Sequence, residues 1–273
     1  MFQSRSVSPT MFGSAVTILD LTYHGIVRSV RKMHGNALMS ILINIFQAVM
    51  FVLVFFLMFE ILGMRSMAIR GDFLLYIMTG VFMYMTHAKT MAAVSNAEGP
   101  TSAMMQHAPM NTIIAILSAA FGALYVQVLS LFAILFVYYA IHPFTVEQPV
   151  AAMGMLILAW YEGMALGMIF LALKPWHPPT VEILSSMYQR ANMIASGKMF
   201  LANSLPAHMR DLFDWNPLFH IIDQTRGFVF LNYVPRYSSV TYPLILCTVF
   251  LVIGLLGEFY TRRSVSLSWG ARR

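Results

Sequence analysis

Five apolar runs dominate this chain, covering residues 38–62, 73–94, 112–140, 150–173 and 242–260. Each is close to the roughly 20 helical residues that a hydrocarbon core of about 30 Å requires. Inside a bilayer every backbone N–H and C=O has to find its partner within the protein, and a single continuous apolar run does so as a helix. The runs therefore predict an all-α, polytopic membrane protein. Composition agrees: 59% of the 273 residues are hydrophobic and 10% are charged, whereas a soluble globule carries about a quarter charged residues.

A sixth segment, 181–203, has spanning length between Pro179 and Pro206 but contains Gln189, Arg190, Asn192 and Lys198. Counting it gives six transmembrane helices and puts both termini on one side. Both flanks are basic, with Arg28, Arg31 and Lys32 before the first run and Arg262, Arg263, Arg272 and Arg273 after the last. The positive-inside rule then places both termini in the cytoplasm. Residues 63–72, 141–149 and 205–241 face outward, and 95–111 and 174–180 face inward. Arg65, Arg70, Arg210, Arg226 and Arg236 dilute the bias on the outer side. The net charge of +6 follows from such anchoring and needs no nucleic acid. A polar arm rather than a short basic signal segment precedes the first run, which predicts that the amino terminus stays inside.

Residues 14–35 carry the pattern of a helix lying along the membrane surface. Ala15, Leu19, Ile26, Val30 and Met33 recur on one face, and Asp20, His24, Arg28 and Arg31 recur on the other. The alternative is a simple anchor.

Catalytic machinery is not legible. The eight histidines are scattered without a His-Glu-x-x-His motif, and Cys247 is the one cysteine, so neither a metal site nor a disulfide framework is predicted. Ser196-Gly197-Lys198 resembles the end of a phosphate-binding loop, but Met199 occupies the magnesium-ligating place and Asn192 that of the first glycine. This chain is read as binding no cofactor and hydrolysing no ATP. Gly163 and Gly167, with Gly154 upstream, give small-residue faces on which helices approach closely.

Charges inside the runs cost at least about 2.5 kcal/mol each at the bilayer centre unless they face protein or water. Lys89, Glu162, Glu182, Arg190 and Lys198 are therefore expected to point inward, with Glu182, Ser186 and Arg190 forming a stripe at successive fourth positions. Two readings follow: buried ion pairs that fix packing, such as Glu162 with Arg190, or a hydrated lumen for a polar substrate. In the second, Tyr84, Lys89, Tyr188, Arg190 and Lys198 line the channel, and the two tyrosines offer faces for sugar rings.

Residues 211–230 are polar, aromatic and charged at once, wedged between the last two hydrophobic blocks, which predicts ordered structure at a membrane face. Within them Asp214-Trp215-Asn216-Pro217-Leu218-Phe219-His220-Ile221-Ile222-Asp223-Gln224-Thr225-Arg226 resembles the Trp-Asn-Pro-Leu-x-His-x-x-Glu-x-x-Arg block of type-2 ABC exporter permeases, specifically those of capsular polysaccharide export. Asp223 stands for the usual Glu. Leu21-Thr22-Tyr23 through Arg28, Arg31 and Gly35 resembles the family's interfacial helix. Lys89 with Asn96-Ala97-Glu98-Gly99 resembles the end of its second span, and Ser196-Gly197 with Leu205-Pro206 the break before its gate.

The resemblance implies a homodimer of six-span subunits, bound to two copies of a separate ABC ATPase that uses ATP and magnesium. It implies outward movement of a lipid-linked polysaccharide, through a single permease domain over residues 1–273. The loop 98–112 would couple to the ATPase through Glu98, Met104, Met105 and His107. Residues 205–235 would form a re-entrant gate at the outer face, holding Trp215, Asn216, Pro217, His220, Asp223 and Arg226. Asn216 would cap its return helix and Pro217 would open it. His220, Asp223 and Arg226 share one helical face, as gate residues or as fold stabilisers. The chain departs from the family at 107–111, which lacks the Arg-Pro-x-Lys-Pro stretch, at Leu38, where a tryptophan is usual, and at Lys198, usually apolar. O-antigen, teichoic acid or another cargo, or an integral-membrane transferase acting on lipid-linked sugars through Asp211, Asp214 and Asp223, are the alternatives.

Overall fold

The computed structural model describes residues 20–30, 37–63, 72–97 and 112–270. Helix α1 covers 20–30. It is followed by α2 (Ala37–Ile61), α3 (Phe73–Ser95), α4 (Thr112–Ile141), α5 (Pro149–Leu173), α6 (Pro178–Ala195), α7 (Pro217–Val229) and α8 (Thr241–Gly270). No strand occurs among the described residues. Four helical stretches are long and apolar enough to cross a membrane: Leu38–Ile61, Thr112–Ile141, Pro149–Leu173 and Thr241–Thr261. They coincide with four of the five apolar runs.

The fifth run, α3, is the centre of the bundle. Every residue from Leu75 to His87 is buried, so the helix is enclosed on all faces by α2, α4, α5 and α7. That enclosure is why it tolerates Thr79, Thr86, His87, Lys89 and Thr90 where a lipid-facing helix could not. Asp72 caps its start, accepting from the backbone N–H groups of Leu74 and Leu75, and Tyr138 donates to the same carboxylate.

Helix α5 packs against α3 at its glycines, as their spacing predicts. A Cβ at Gly163 would stand 2.4 Å from the His87 carbonyl oxygen, and one at Gly167 would stand 2.9 Å from that of Met91. Gly154 meets nothing within 4 Å and plays no such part. The other long face of α5 carries α8, where Gly254 abuts Met168. Helix α1 lies against the start of α4: the Thr22 carbonyl accepts from Ser118, and Gly122 faces Ser29 and Val30. Its Val30 is buried, while Asp20, His24 and Arg28 are exposed.

The segment 181–203 is not one continuous helix. Helix α6 ends at Ala195, and Gly197 takes a left-handed φ of +73°, a conformation that costs any residue with a Cβ. The chain then folds through a short 3-10 turn (Ala202–Ser204) and one helical turn (Ala207–Arg210) before returning to α6 at Asn216. There the Asn216 amide donates to the Asn192 side chain at 2.6 Å and to the Ala195 carbonyl at 3.0 Å. From that level α7 runs back to the start of α5, where Gln148 donates its N–H to the Phe228 carbonyl at 2.8 Å.

Candidate functional site

Helix α7 begins as its sequence dictates, with the Asn216 side chain accepting from the N–H of Leu218 and Pro217 in the first turn. Ten of its 13 residues are buried, charged ones included. His220, Asp223 and Arg226 lie along it, and each is tied to a different segment. The His220 ring accepts at Nδ1 from the Ser239 N–H at 3.2 Å, which leaves Nε2–H to donate to the Asp214 carbonyl at 2.7 Å. Asp223 accepts from Tyr233 at 2.5 Å, Ser238 at 2.7 Å and the Ala202 N–H at 3.3 Å. Burial first, and then that carboxylate, push the Tyr233 phenol above its ordinary range. Arg226 is fully enclosed and donates to the carbonyls of Gly197, Phe200 and Lys198 with its guanidinium 4.3 Å from the Tyr76 ring centroid.

These three side chains thus fasten the connections on both sides of α7 to the helix between them. The contacts they make are clamps between α7 and the connections that flank it. Trp215 lies just outside the set, 62% exposed, with its indole donating to the Leu212 carbonyl and its own carbonyl accepting from Tyr242.

The channel-lining candidates divide into separate places. Tyr84 and Lys198 come together: the Lys198 ammonium is 3.9 Å from the Tyr84 ring centroid, 4.7 Å from Phe55 and 5.4 Å from Phe51, and it makes no hydrogen bond. Tyr188 stands one layer away, accepting from Asn192 and facing the His87 ring. Lys89 points to the opposite side of α3, donating to Asn44 and, at 2.5 Å, to Gln47. Gln127 and Ser130 complete that polar cluster through Asn44. Arg190 is exposed.

Three expectations are corrected here. Glu182 and Arg190 do not point into the bundle of this chain, and Glu162 does not pair with Arg190. α6 sits at the periphery, and of its 18 residues only Val181 and Asn192 are buried. Its Glu182–Ser186–Arg190 stripe therefore lies on an open face. Glu162 instead meets His87 of α3, with Nδ1 and Oε2 3.4 Å apart and both residues enclosed. Sequence reading did not pair them, although the glycine beside Glu162 marks where α3 and α5 touch.

At the foot of the α6 stripe is a polar cleft of about 290 Å³, lined by Asn96, Lys174, Glu182, Ser185, Ser186 and Gln189. Lys174 bridges its walls, donating to Asn96 at 2.8 Å and lying 3.5 Å from Glu182. Such a set can hydrogen-bond a hydroxylated solute from several directions. Asp211 and Asp214 are exposed while Asp223 is enclosed, so those three carboxylates do not converge. No group of three potential metal ligands occurs among the described residues. Glu98, Met104, Met105 and His107 lie outside the described residues.

No protein-family model matches the chain, and no curated protein matches it.

Proposed function

We propose that this chain is the transmembrane permease subunit of an ATP-driven exporter, working as a homodimer that moves a lipid-linked, capsule-type polysaccharide outward across a bacterial inner membrane. One observation carries the reading. α6 is about 27 Å long at 1.5 Å per residue, enough to traverse most of a hydrocarbon core, yet it leaves Glu182, Ser186 and Arg190 on an open face. Ionic and hydroxyl groups at that depth have to face water or protein. A second copy of the chain across that face encloses a hydrated conduit, with the polar cleft beside Lys174 as its inner mouth.

The rest of the molecule is consistent with that use. In this reading the chain crosses six times: the four apolar stretches, the enclosed α3, and the polar α6. α1 lies at the cytoplasmic interface with Asp20, His24 and Arg28 toward water. α7 is the return arm of a re-entrant gate whose block from Trp215 to Arg226 resembles that of capsular polysaccharide permeases. ATP and magnesium belong to a separate ABC ATPase, which docks on the loop 98–112 through Glu98, Met104, Met105 and His107.

The test uses Ser186→Cys in a Cys247→Ala background. Oxidation is expected to cross-link two copies through position 186, and water-soluble maleimide is expected to block the reaction. Purified alone, the protein is expected to show no ATPase activity. A chain that stays monomeric in lipid and reacts at 186 only with membrane-permeant reagents overturns the reading.

A further inference from the structure

A chain of hydrogen bonds runs from the bundle centre to the first turn of α7, and its polarity is fixed at one end. Asn216 accepts the backbone N–H of Leu218 with its side-chain oxygen at 3.0 Å, so its amide nitrogen is the donor toward Asn192. Asn192 therefore presents its oxygen to Asn216 and its nitrogen to His87 Nε2, 3.2 Å away. An amide nitrogen only donates, which makes Nε2 the acceptor and leaves the imidazole proton on Nδ1. That proton faces the Glu162 carboxylate.

The far end of the chain is underpartnered. Glu162 is 0% exposed and His87 1%, and neither carboxylate oxygen has a hydrogen-bond partner, the Nδ1 contact at 3.4 Å being too long and poorly aligned to serve. The groups facing Glu162 from its neighbours are His87 of α3, Tyr188 of α6 and Cys247 of α8. None of them brings a fixed positive charge. An ionised carboxylate so placed, near the middle of α5, is costly unless it takes up a proton or a cation.

We propose that Glu162 and His87 form a buried proton-binding site whose occupancy breaks the Asn192–Asn216 contact and so weakens the hold of α6 on the first turn of α7. One proton is taken from water and ends on Nε2, while the hydrogen already on Nδ1 passes to the Glu162 carboxylate, so the pair gains a single proton and becomes a neutral carboxyl beside an Nε2–H imidazole. When the second imidazole nitrogen carries a hydrogen, Nε2–H and the Asn192 amide nitrogen become two donors facing each other. Asn192 must then turn its oxygen toward His87, which turns its nitrogen toward the Asn216 nitrogen and breaks the 2.6 Å bond. Low pH thus removes one of the two bonds by which Asn216 holds the start of α7 to α6, leaving the bond to the Ala195 carbonyl and the cap on Leu218, and high pH restores it. The mechanism does not depend on which cargo the chain moves.

The test uses the full chain in lipid nanodiscs. Infrared pH-difference spectra are expected to show a protonated-carboxyl band that grows as pH falls and is absent in Glu162→Gln. In a Trp215→Cys, Cys247→Ala background, the maleimide reaction rate at 215 is expected to rise several-fold through one titration as pH falls. That rise should vanish in His87→Asn and in Glu162→Gln. Asn192→Leu should keep the infrared band but lose the pH dependence at 215, separating the site from its relay. A band that persists in Glu162→Gln, or labelling at 215 that titrates equally in all variants, overturns the proposal. If Glu162→Gln does not fold, the unsubstituted protein still decides, since a wild-type spectrum without a pH-dependent carboxyl band overturns it too.

Discussion

Arg226 donates one guanidinium nitrogen to the carbonyl of Gly197, 29 residues earlier in the chain, at 2.9 Å. Because Gly197 is where α6 ends in a left-handed turn, this bond joins the stop signal of α6 to the last turn of α7. The same guanidinium holds the carbonyls of Lys198 and Phe200, so one side chain satisfies three acceptors of a connection that has no ladder of its own.

Arg226→Met is therefore expected to prevent accumulation of a monodisperse protein. It strands the Lys198 and Phe200 carbonyls, each at about 1–3 kcal/mol of desolvation, and leaves the Gly197 carbonyl with the Phe200 N–H at 3.3 Å alone, a loss that approaches the lower end of a whole domain's stability. Arg226→Lys keeps the charge but not the planar fork, and should give a folded protein with a clearly lower thermal midpoint. Size-exclusion profiles and scanning fluorimetry in detergent check both, and a wild-type midpoint for Arg226→Met would show that the three bonds contribute nothing net.

Asn216→Ala removes an N-cap and both donor contacts to α6. Loss of the cap alone costs about 0.5–2 kcal/mol, and the bond to Asn192 adds about 1 kcal/mol. Asn216→Asp keeps the cap but places a carboxylate oxygen against the Asn192 oxygen, so it should destabilise while leaving α7 helical. Thermal midpoints of the two variants, with hydrogen exchange at Leu218, separate cap from contact.

Helix ends were legible wherever an apolar run meets a proline, a glycine or a charge. The runs 73–94, 112–140 and 150–173 differ from α3, α4 and α5 by no more than a residue at either end. Asn216-Pro217 likewise announced the start of α7. The apolar count carried α6 on to 203, because such a count does not distinguish a helix from a polar turn with apolar neighbours; Ser196-Gly197, legible through the family resemblance as a break before the gate, lies where the helix ends. Partners across helices were not legible at all. The spacing of His87 and Glu162 is a property of how α3 and α5 cross, and Gly163 and Gly167 reveal that crossing without its register. The open face of α6 was missed for a related reason: a charge at membrane depth must avoid lipid, but a single sequence does not say whether its own bundle or a second chain provides the shelter.

Gly163→Val tests that crossing. An added Cβ would stand 2.4 Å from the His87 carbonyl oxygen and 3.0 Å from the Thr90 Cβ, neither of which is a flexible chain end. α3 and α5 would have to separate where their backbones pack closely, so the variant should unfold at markedly lower temperature or fail to fold. Gly154→Val, where a Cβ meets nothing within 4 Å, is the matched control and should stay near wild type.

Lys198 supplies the sharpest contrast between stability and use. The residue is 3% exposed, and its ammonium makes no hydrogen bond and rests among Tyr84, Phe55 and Phe51. Contact with aromatic faces returns about 2 kcal/mol when desolvated, less than the several kcal/mol lost in taking the charge out of water. Lys198→Met, of similar length and shape, should therefore leave the thermal midpoint unchanged or raise it. If transport falls in a variant that is at least as stable as wild type, the charge is retained for the conduit and not for the fold. A midpoint several degrees below wild type would instead place Lys198 among the residues that hold α3 and the α6–α7 connection together, and would remove it from the channel.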